Sequence, residues 1–180
     1  MKIIAICGPK RAGKDVLADY LKSKYNYKKK KIAQQLKDAL VVLFGFTPDQ
    51  LETDEKEQVD ARWGISPRAA MQFFGTDVMQ YKIQELLPNI GRIFWIQSLM
   101  AQLAQDTNYV ISDLRFMHEY TALYTKYGKD LFVIKIERPT IEDHHCSEQE
   151  YKNIPCDLHL ENTTTISDLL IKLDNALAGK

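Results

Sequence analysis

Residues 8–15, Gly-Pro-Lys-Arg-Ala-Gly-Lys-Asp, carry the densest chemical signal in this 180-residue chain. They fit the pattern G-x-x-x-x-G-K, follow a short apolar run from Ile3 to Cys7, and precede a stretch with helical spacing from Asp15 onward. A strand, a glycine-containing loop and a helix in that order turn backbone N–H groups and a helix N-terminus toward one point, where a polyphosphate binds. Gly8 and Gly13 let the main chain approach the phosphates, and Lys14 reaches the β- and γ-phosphates. The nucleotide-binding stretch on this reading runs from Gly8 through Pro9, Lys10, Arg11, Ala12, Gly13, Lys14 and Asp15 to Val16. Asp15 stands where the usual motif has a Mg²⁺-binding Ser or Thr. A carboxylate there can meet the metal directly or through water, and Lys10 and Arg11 would offset its charge.

Phosphoryl transfer asks for positioning, a metal and spread cations more than for covalent chemistry. Asp113, at the tip of the apolar run Tyr109 to Ser112, is the Walker-B-like partner for Mg²⁺, unless it caps the following helix. Mg²⁺ is thus the expected cofactor, with Asp15 and Asp113 its candidate ligands. Arg115 lies two residues on and can hold a phosphate bidentately. Further cations for an acceptor phosphate are Lys37, Arg62, Arg68 and Arg92. Arg68 stands out because Ser66-Pro67 opens a helix just before it, and Gln72, one turn on, can hydrogen-bond a base. Trp63 and Trp95 offer ring faces, although Trp95 falls near the apolar stripe of its helix. A zinc site built from His144, His145, Cys146, Cys156 and His159 is disfavoured, since C-x₉-C lacks close paired ligands.

These residues need a scaffold, and the apolar spacing supplies one. Helices are expected from about Lys14 to Lys24, from Ile32 to Phe44, from Ser66 to about Tyr81, from Arg92 onward, from His118 to Lys126, and after the capping box Thr165-x-x-Asp168. Strands are expected at Ile3 to Cys7, Tyr109 to Ser112, Leu131 to Ile136 and Leu158 to Leu160. The lysine run Lys28 to Lys31 reads as a solvated approach to the next element. The order predicts an α/β fold of the P-loop NTPase type: a parallel sheet flanked by helices, with a helical acceptor-binding insert and a short lid. The expected organisation is a single P-loop kinase domain over 1–180. Its core covers about 1–33 and 106–180, the acceptor lobe about 34–105 and the lid about 138–155.

Bulk properties narrow the partners. Formal net charge is +0, which favours neither nucleic acid nor a membrane surface, and no apolar run approaches a bilayer's length. Three cysteines without a C-x-x-C pair indicate reduced thiols and a cytoplasmic setting. The oligomeric state is left open between monomer and homodimer.

The loop Gly-Pro-Lys-Arg-Ala-Gly-Lys-Asp resembles the G-x-K-R-x-G-K-D loop of the phage-type deoxynucleoside monophosphate kinases, in which Asp also follows the loop Lys. Lys37-Asp38-Ala39-Leu40, Arg68-x-x-Met71-Gln72-x-x-Gly75-Thr76-Asp77, Arg92-x-x-Trp95, Asp113-x-Arg115, His118-Glu119, Arg138-Pro139 and Asn162 match that family in order. The chain is shorter than the phage enzyme, mainly between residues 45 and 66. The resemblance implies ATP-dependent phosphorylation of a deoxynucleoside monophosphate (dNMP) to the diphosphate, with Mg²⁺. Lys10, Arg11 and Lys14 would hold donor phosphates, with Arg138 and Asn162 near the donor base. Lys37, Arg68, Gln72, Thr76, Asp77 and Arg92 would face the acceptor; Lys14, Arg11, Asp113 and Arg115 would serve the chemistry. The loop, the Ser-Asp-x-Arg strand end and Arg62-Trp63-Gly64 also resemble the animal-type phosphomevalonate kinases, which differ in the acceptor lobe. A third reading is a binding protein gated by nucleotide without turnover.

Overall fold

The computed structural model describes residues 1–138 and 150–178. It divides into two compact units, one formed by Met1–Lys31 with Leu103–Lys180, the other by Ile32–Gln102.

The first unit is built on a five-stranded sheet. β1 (Ile3–Cys7) lies at its centre, and β2 (Lys28–Lys30), β3 (Tyr109–Leu114), β4 (Leu131–Glu137) and β5 (Leu158–Glu161) complete the order β2-β3-β1-β4-β5. Every pairing is parallel. All five residues of β1 are buried, as a strand covered on both faces must be. Because β1 pairs with β3 on one side and β4 on the other, the chain reverses its winding at β1. The carboxyl end of that strand is where open parallel sheets hold ligands.

Helix α1 (Lys14–Tyr25) and helix α7 (Ile166–Ala178) cover one face, with Leu17, Leu21, Leu169 and Leu173 packed on Ile4, Ile6, Val110, Ile134 and Leu160. Helix α6 (Met117–Tyr127) packs against β4 and buries Leu123. The predicted capping box of α7 is present: Thr165 Oγ1 accepts from the N–H of Asp168 at 3.2 Å, and Asp168 Oδ2 accepts from the N–H of Thr165 at 3.3 Å.

The lysine run corrects one expectation. Lys28, Lys29 and Lys30 form edge strand β2, paired in register with Tyr109, Val110 and Ile111. Period-2 apolar patterning is missing because the strand borrows its stability from buried β3, while lysines keep the free edge from pairing with another chain. Of the predicted lid, residues 139–149 lie outside the described residues. The part described, Glu150–Asn153, is a 3₁₀ turn that buries Tyr151 and is followed by buried Ile154.

The second unit is helical: α2 (Gln34–Phe44), α3 (Pro48–Glu52), α4 (Pro67–Gln72) and α5 (Phe94–Ala101), with a core of Leu40, Phe46, Leu51 and Ala70. The helix predicted from Ser66 to Tyr81 begins with its Ser cap, then widens into a π-helical segment over Phe73–Tyr81. Inside that segment Gly75 is pressed on α2: a Cβ there would stand 2.7 Å from Leu36 Cδ2. Helix α5 starts at Phe94, two residues later than its predicted start at Arg92.

Candidate active site

The loop after β1 is shaped by three left-handed residues, Gly8 at φ +146°, Arg11 at +64° and Gly13 at +112°. Gly8 has a second reason to lack a side chain, because a Cβ would stand 2.0 Å from the carbonyl oxygen of Ile136. A reverse turn, Ala12 N–H to Pro9 O at 3.3 Å, folds the loop, and Gly13 caps α1. The alternating backbone signs over Arg11 to Gly13 are those of an anion nest, although Pro9 has no N–H and that of Ala12 is engaged by the Pro9 carbonyl. Lys14 Nζ spans the loop and donates to the carbonyls of Gly8 and Pro9, each at 2.7 Å. Lys10 and Arg11 are exposed on the loop, and Val16 is exposed on the first turn of α1.

Asn162, expected near a donor base, is hydrogen-bonded to this loop. Its Nδ2 donates to the carbonyl of Ala12 at 2.8 Å, so its amide braces the cradle. Arg138 is exposed at the end of β4.

Next to the loop, the β1–β3 register slips between Ala5↔Ile111 and Cys7↔Leu114, a bulge that lies at Ser112 and Asp113. Bulges re-aim side chains at strand ends. Asp113 is half-buried there, beside the carboxyl end of β1, whereas Ser112 is buried and its Oγ donates to Asp15 Oδ1 at 3.5 Å. Asp15 is engaged further: Lys29 Nζ and Lys31 Nζ lie 2.8 and 3.3 Å from the same oxygen. Burial pushes the Asp15 carboxyl up, but the hydrogen bond from Lys29 and the charges of Lys31 and Lys29 outweigh it, leaving the group below its usual range.

The donor set suits a hard dication, since Mg²⁺ takes carboxylate and water oxygens. Asp113 fits that role; Asp15 would first have to release two ammonium groups. Among the described residues no cluster of His, Cys, Asp and Glu forms a dedicated metal cage, and Cys156 and His159 take no part in one. His144, His145 and Cys146 lie outside the described residues. Cys7 ends the central strand with its thiol pushed up to about 12 by burial, against the pull of Lys135 and Lys14, and is no nucleophile.

Arg115 follows the bulge, and its N–H donates at 3.0 Å to Glu119 Oε2, which also accepts from the N–H of Phe116 at 3.1 Å. Glu119 is 7 % exposed. Burial pushes its carboxyl up to about 7, and the charge of Asp113 adds to the shift, against the two N–H donors. In the sequence Glu119 stands only in the His118-Glu119 match, and no Ser or Thr at position 116 announces the cap it forms. Lys29 and Lys31 belong to a run that reads as solvated, which hides their contacts with Asp15.

In the helical unit the predicted cations are held by neighbours. Lys37 pairs with Glu52 at 2.6 Å, and Arg68 sets Nε and Nη2 on Glu57 Oε1 at 3.0 and 2.9 Å. Arg92 Nε donates to Gln80 Oε1 at 3.0 Å, and its guanidinium lies 5.6 Å from the Tyr81 ring centre. Arg62 donates to both carboxylate oxygens of Asp60 and to the Gly45 carbonyl, so it fastens the 60–65 turn to the end of α2. Gln72 and Asp77 are exposed and Thr76 half-buried along the α4 and π-helical stretch. Trp95 Nε1 donates to Gly75 O at 2.8 Å and Trp63 Nε1 to Phe44 O at 2.9 Å. The indole of Trp63 remains half-exposed.

A cavity of about 590 Å³ opens at the other end of the sheet, lined by Tyr25, Tyr27, Tyr120, Tyr124 and the start of β1 and β4. It is remote from the loop, and the chemistry described above does not use it. No helix among the described residues is long and apolar enough to cross a membrane.

The geometry can be set beside known proteins. A profile of the deoxynucleotide monophosphate kinase family matches residues 2–60 and 46–173. A protein of Acanthamoeba polyphaga mimivirus named "Putative deoxynucleotide monophosphate kinase" is 33% identical over 193 residues, covering 98% of this chain and 98% of its own length. Among solved structures, shikimate kinase from Aquifex aeolicus superposes with a TM-score of 0.55 over 98% of this chain and 96% of that one. At 12% identity that likeness concerns the fold: a P-loop type parallel sheet flanked by helices.

Proposed function

Because the chain belongs to the deoxynucleotide monophosphate kinase family, we propose that it transfers the γ-phosphoryl group of ATP to a deoxynucleoside monophosphate, giving ADP and the deoxynucleoside diphosphate. The observation that carries this reading is the cradle itself: Gly8, Arg11 and Gly13 in left-handed backbone, with Lys14 lying across the loop. Its N–H groups bind the donor phosphates, and Lys14 follows the charge that shifts from the γ-phosphoryl to the leaving oxygen. Lys10 and Arg11 add cationic reach. Asn162 keeps the loop in shape.

Asp113 would hold Mg²⁺ or a water of its shell, and the ion would supply charge neutralisation to the phosphates in transfer. Arg115 is positioned by the Glu119 cap to meet the phosphate in transfer. In the helical unit Lys37, Arg68 and Arg92 present cations to the acceptor phosphate, exchanging Glu52, Glu57 and Gln80 for it. Gln72, Thr76 and Asp77 read sugar and base.

Purified protein with ATP and Mg²⁺ is to be assayed for ADP release against dAMP, dCMP, dGMP, dTMP, dUMP, their ribose counterparts and phosphomevalonate. ADP formed with at least one deoxynucleotide is expected. Release with phosphomevalonate alone, or ATP binding without release for any acceptor, overturns the proposal. Arg62, part of the Arg-Trp-Gly stretch that favoured phosphomevalonate, is engaged by Asp60 and Gly45.

A further inference from the structure

We propose that Lys29 and Lys31 are required for nucleotide binding because they cancel the charge of Asp15, and that Asp15 anchors strand β2 to the phosphate loop instead of ligating a metal. The first observation is the ion cluster. One oxygen of Asp15 receives Lys29 Nζ at 2.8 Å and Lys31 Nζ at 3.3 Å, and Lys29 also reaches Asp19 Oδ1 at 2.9 Å. Asp15 and Asp19 are four residues apart on α1, so both carboxylates face the edge strand from one side of the helix.

The second observation is position. Asp15 is the second residue of α1, in the turn whose N–H groups complete the anion nest. A bare carboxylate there would repel the phosphate chain that Lys14 attracts. A carboxylate left uncancelled so near the phosphates would weaken nucleotide binding several-fold, even with part of its charge screened by solvent. With both lysines in place, Asp15 and Asp19 are neutralised, and Lys10, Arg11 and Lys14 act undiminished.

The third observation is the sidedness of the lysines. Their side chains are 20% and 29% exposed, low for lysines on an edge strand and just past its end, because both reach toward α1. Burial pulls the Lys29 ammonium down, but its hydrogen bonds to Asp15 and Asp19 outweigh this and raise it. A divalent ion approaching Asp15 would meet two ammonium groups already on the same oxygen.

This inference rests on the kinase reading only in taking ATP as the ligand. The test measures ATP affinity by calorimetry, with and without Mg²⁺, for wild type, Lys31→Gln, Lys29→Met/Lys31→Met, Asp15→Asn, and the double lysine variant carrying Asp15→Asn. The lysine variants should bind ATP ~10-fold or more weakly, and Asp15→Asn in the double lysine background should recover most of that loss. Asp15→Asn alone should keep the enhancement of binding by Mg²⁺. Losses that simply add, with no recovery, overturn the proposal, as does loss of the Mg²⁺ effect in Asp15→Asn alone. If the double lysine variant does not fold, Lys31→Gln with and without Asp15→Asn decides by the same criterion. Wild type that binds no ATP sinks the kinase reading instead, so the two failures are told apart.

Discussion

Asn162, just past the end of β5, hydrogen-bonds through its Nδ2 to the carbonyl of Ala12 at 2.8 Å and so ties the last strand to the phosphate loop. Ala12 is fully buried, so its carbonyl has no solvent to turn to. An unmade bond of this kind costs about 1–3 kcal/mol. Asn162→Ala should therefore raise the Michaelis constant for ATP by roughly 5-fold or more through a loosened loop, while the acceptor constant stays put. Steady-state kinetics with each substrate varied in turn would check it, and equal changes in both constants would remove the bracing role.

The two loop glycines should differ in severity. At Gly8 a methyl group meets the Ile136 carbonyl at 2.0 Å and the backbone is held at φ +146°, so neither neighbour nor chain can give cheaply. At Gly13 the nearest atom is the Asn162 amide at 3.1 Å, the end of a side chain that can swing. Gly8→Ala should cost more than ~3 kcal/mol and lower the melting temperature by roughly 10 °C, with Gly13→Ala distinctly milder. Thermal melts of the two variants side by side give the order directly, and a Gly13→Ala melt as low as that of Gly8→Ala would refute it.

Much of this site was legible because its chemistry is local. The run from Ile3 to Lys14 states strand, turn and helix in consecutive residues, and Ser66-Pro67 and Thr165-x-x-Asp168 announce their helices. What escaped depends on residues far apart in the chain. Strand β2 exists because β3, distant in the chain, offers it a buried edge; four lysines in a row give no such hint.

 Tyr109 opens β3 79 positions after Lys30 closes β2, and no window along the chain spans both. The bulge at Ser112 and Asp113 is a mismatch between two strands and has no sequence signature of its own. The burial of Glu119, beyond its place in the His118-Glu119 match, likewise emerges only in the folded chain. The π-helical turn contains Gly75 pressed on Leu36, a contact between two helices that periodicity does not record.

Glu119 should make stability depend on pH with an acid's sign reversed from the usual case. Its folded pKa, about 7, lies above its ordinary value of 4.5. Below about pH 4.5 both folded and unfolded chains hold the proton, and the group contributes no difference. As pH rises from about 4.5 to 7 the folded state binds more proton than the unfolded one, so stability falls, and above 7 the full penalty is present. At about 1.4 kcal/mol per pH unit the total is roughly 3 kcal/mol. Glu119→Gln keeps an oxygen for the N–H groups of Arg115 and Phe116 but cannot ionise. Denaturant unfolding at pH 5 and pH 8 should show wild type losing stability relative to the variant, and parallel curves would mean that Glu119 titrates normally.

Arg68 offers the sharpest separation of acceptor binding from fold. Its guanidinium shares one oxygen of Glu57, and both side chains are more than a third exposed, so the pair contributes well under about 1 kcal/mol. Arg68→Ala should accordingly melt within a degree or two of wild type. If the guanidinium leaves Glu57 for the acceptor phosphate, the same variant loses a charge-assisted contact worth roughly 2 kcal/mol, and the acceptor Michaelis constant rises about 10-fold or more. The constant for ATP should not move, because the contact belongs to the acceptor alone. Glu57→Gln provides the opposing arm. It frees Arg68 without removing it and should leave the acceptor constant unchanged or lower it. An acceptor constant that stays level in Arg68→Ala would take this residue out of the site and leave its pair with Glu57 as a surface contact.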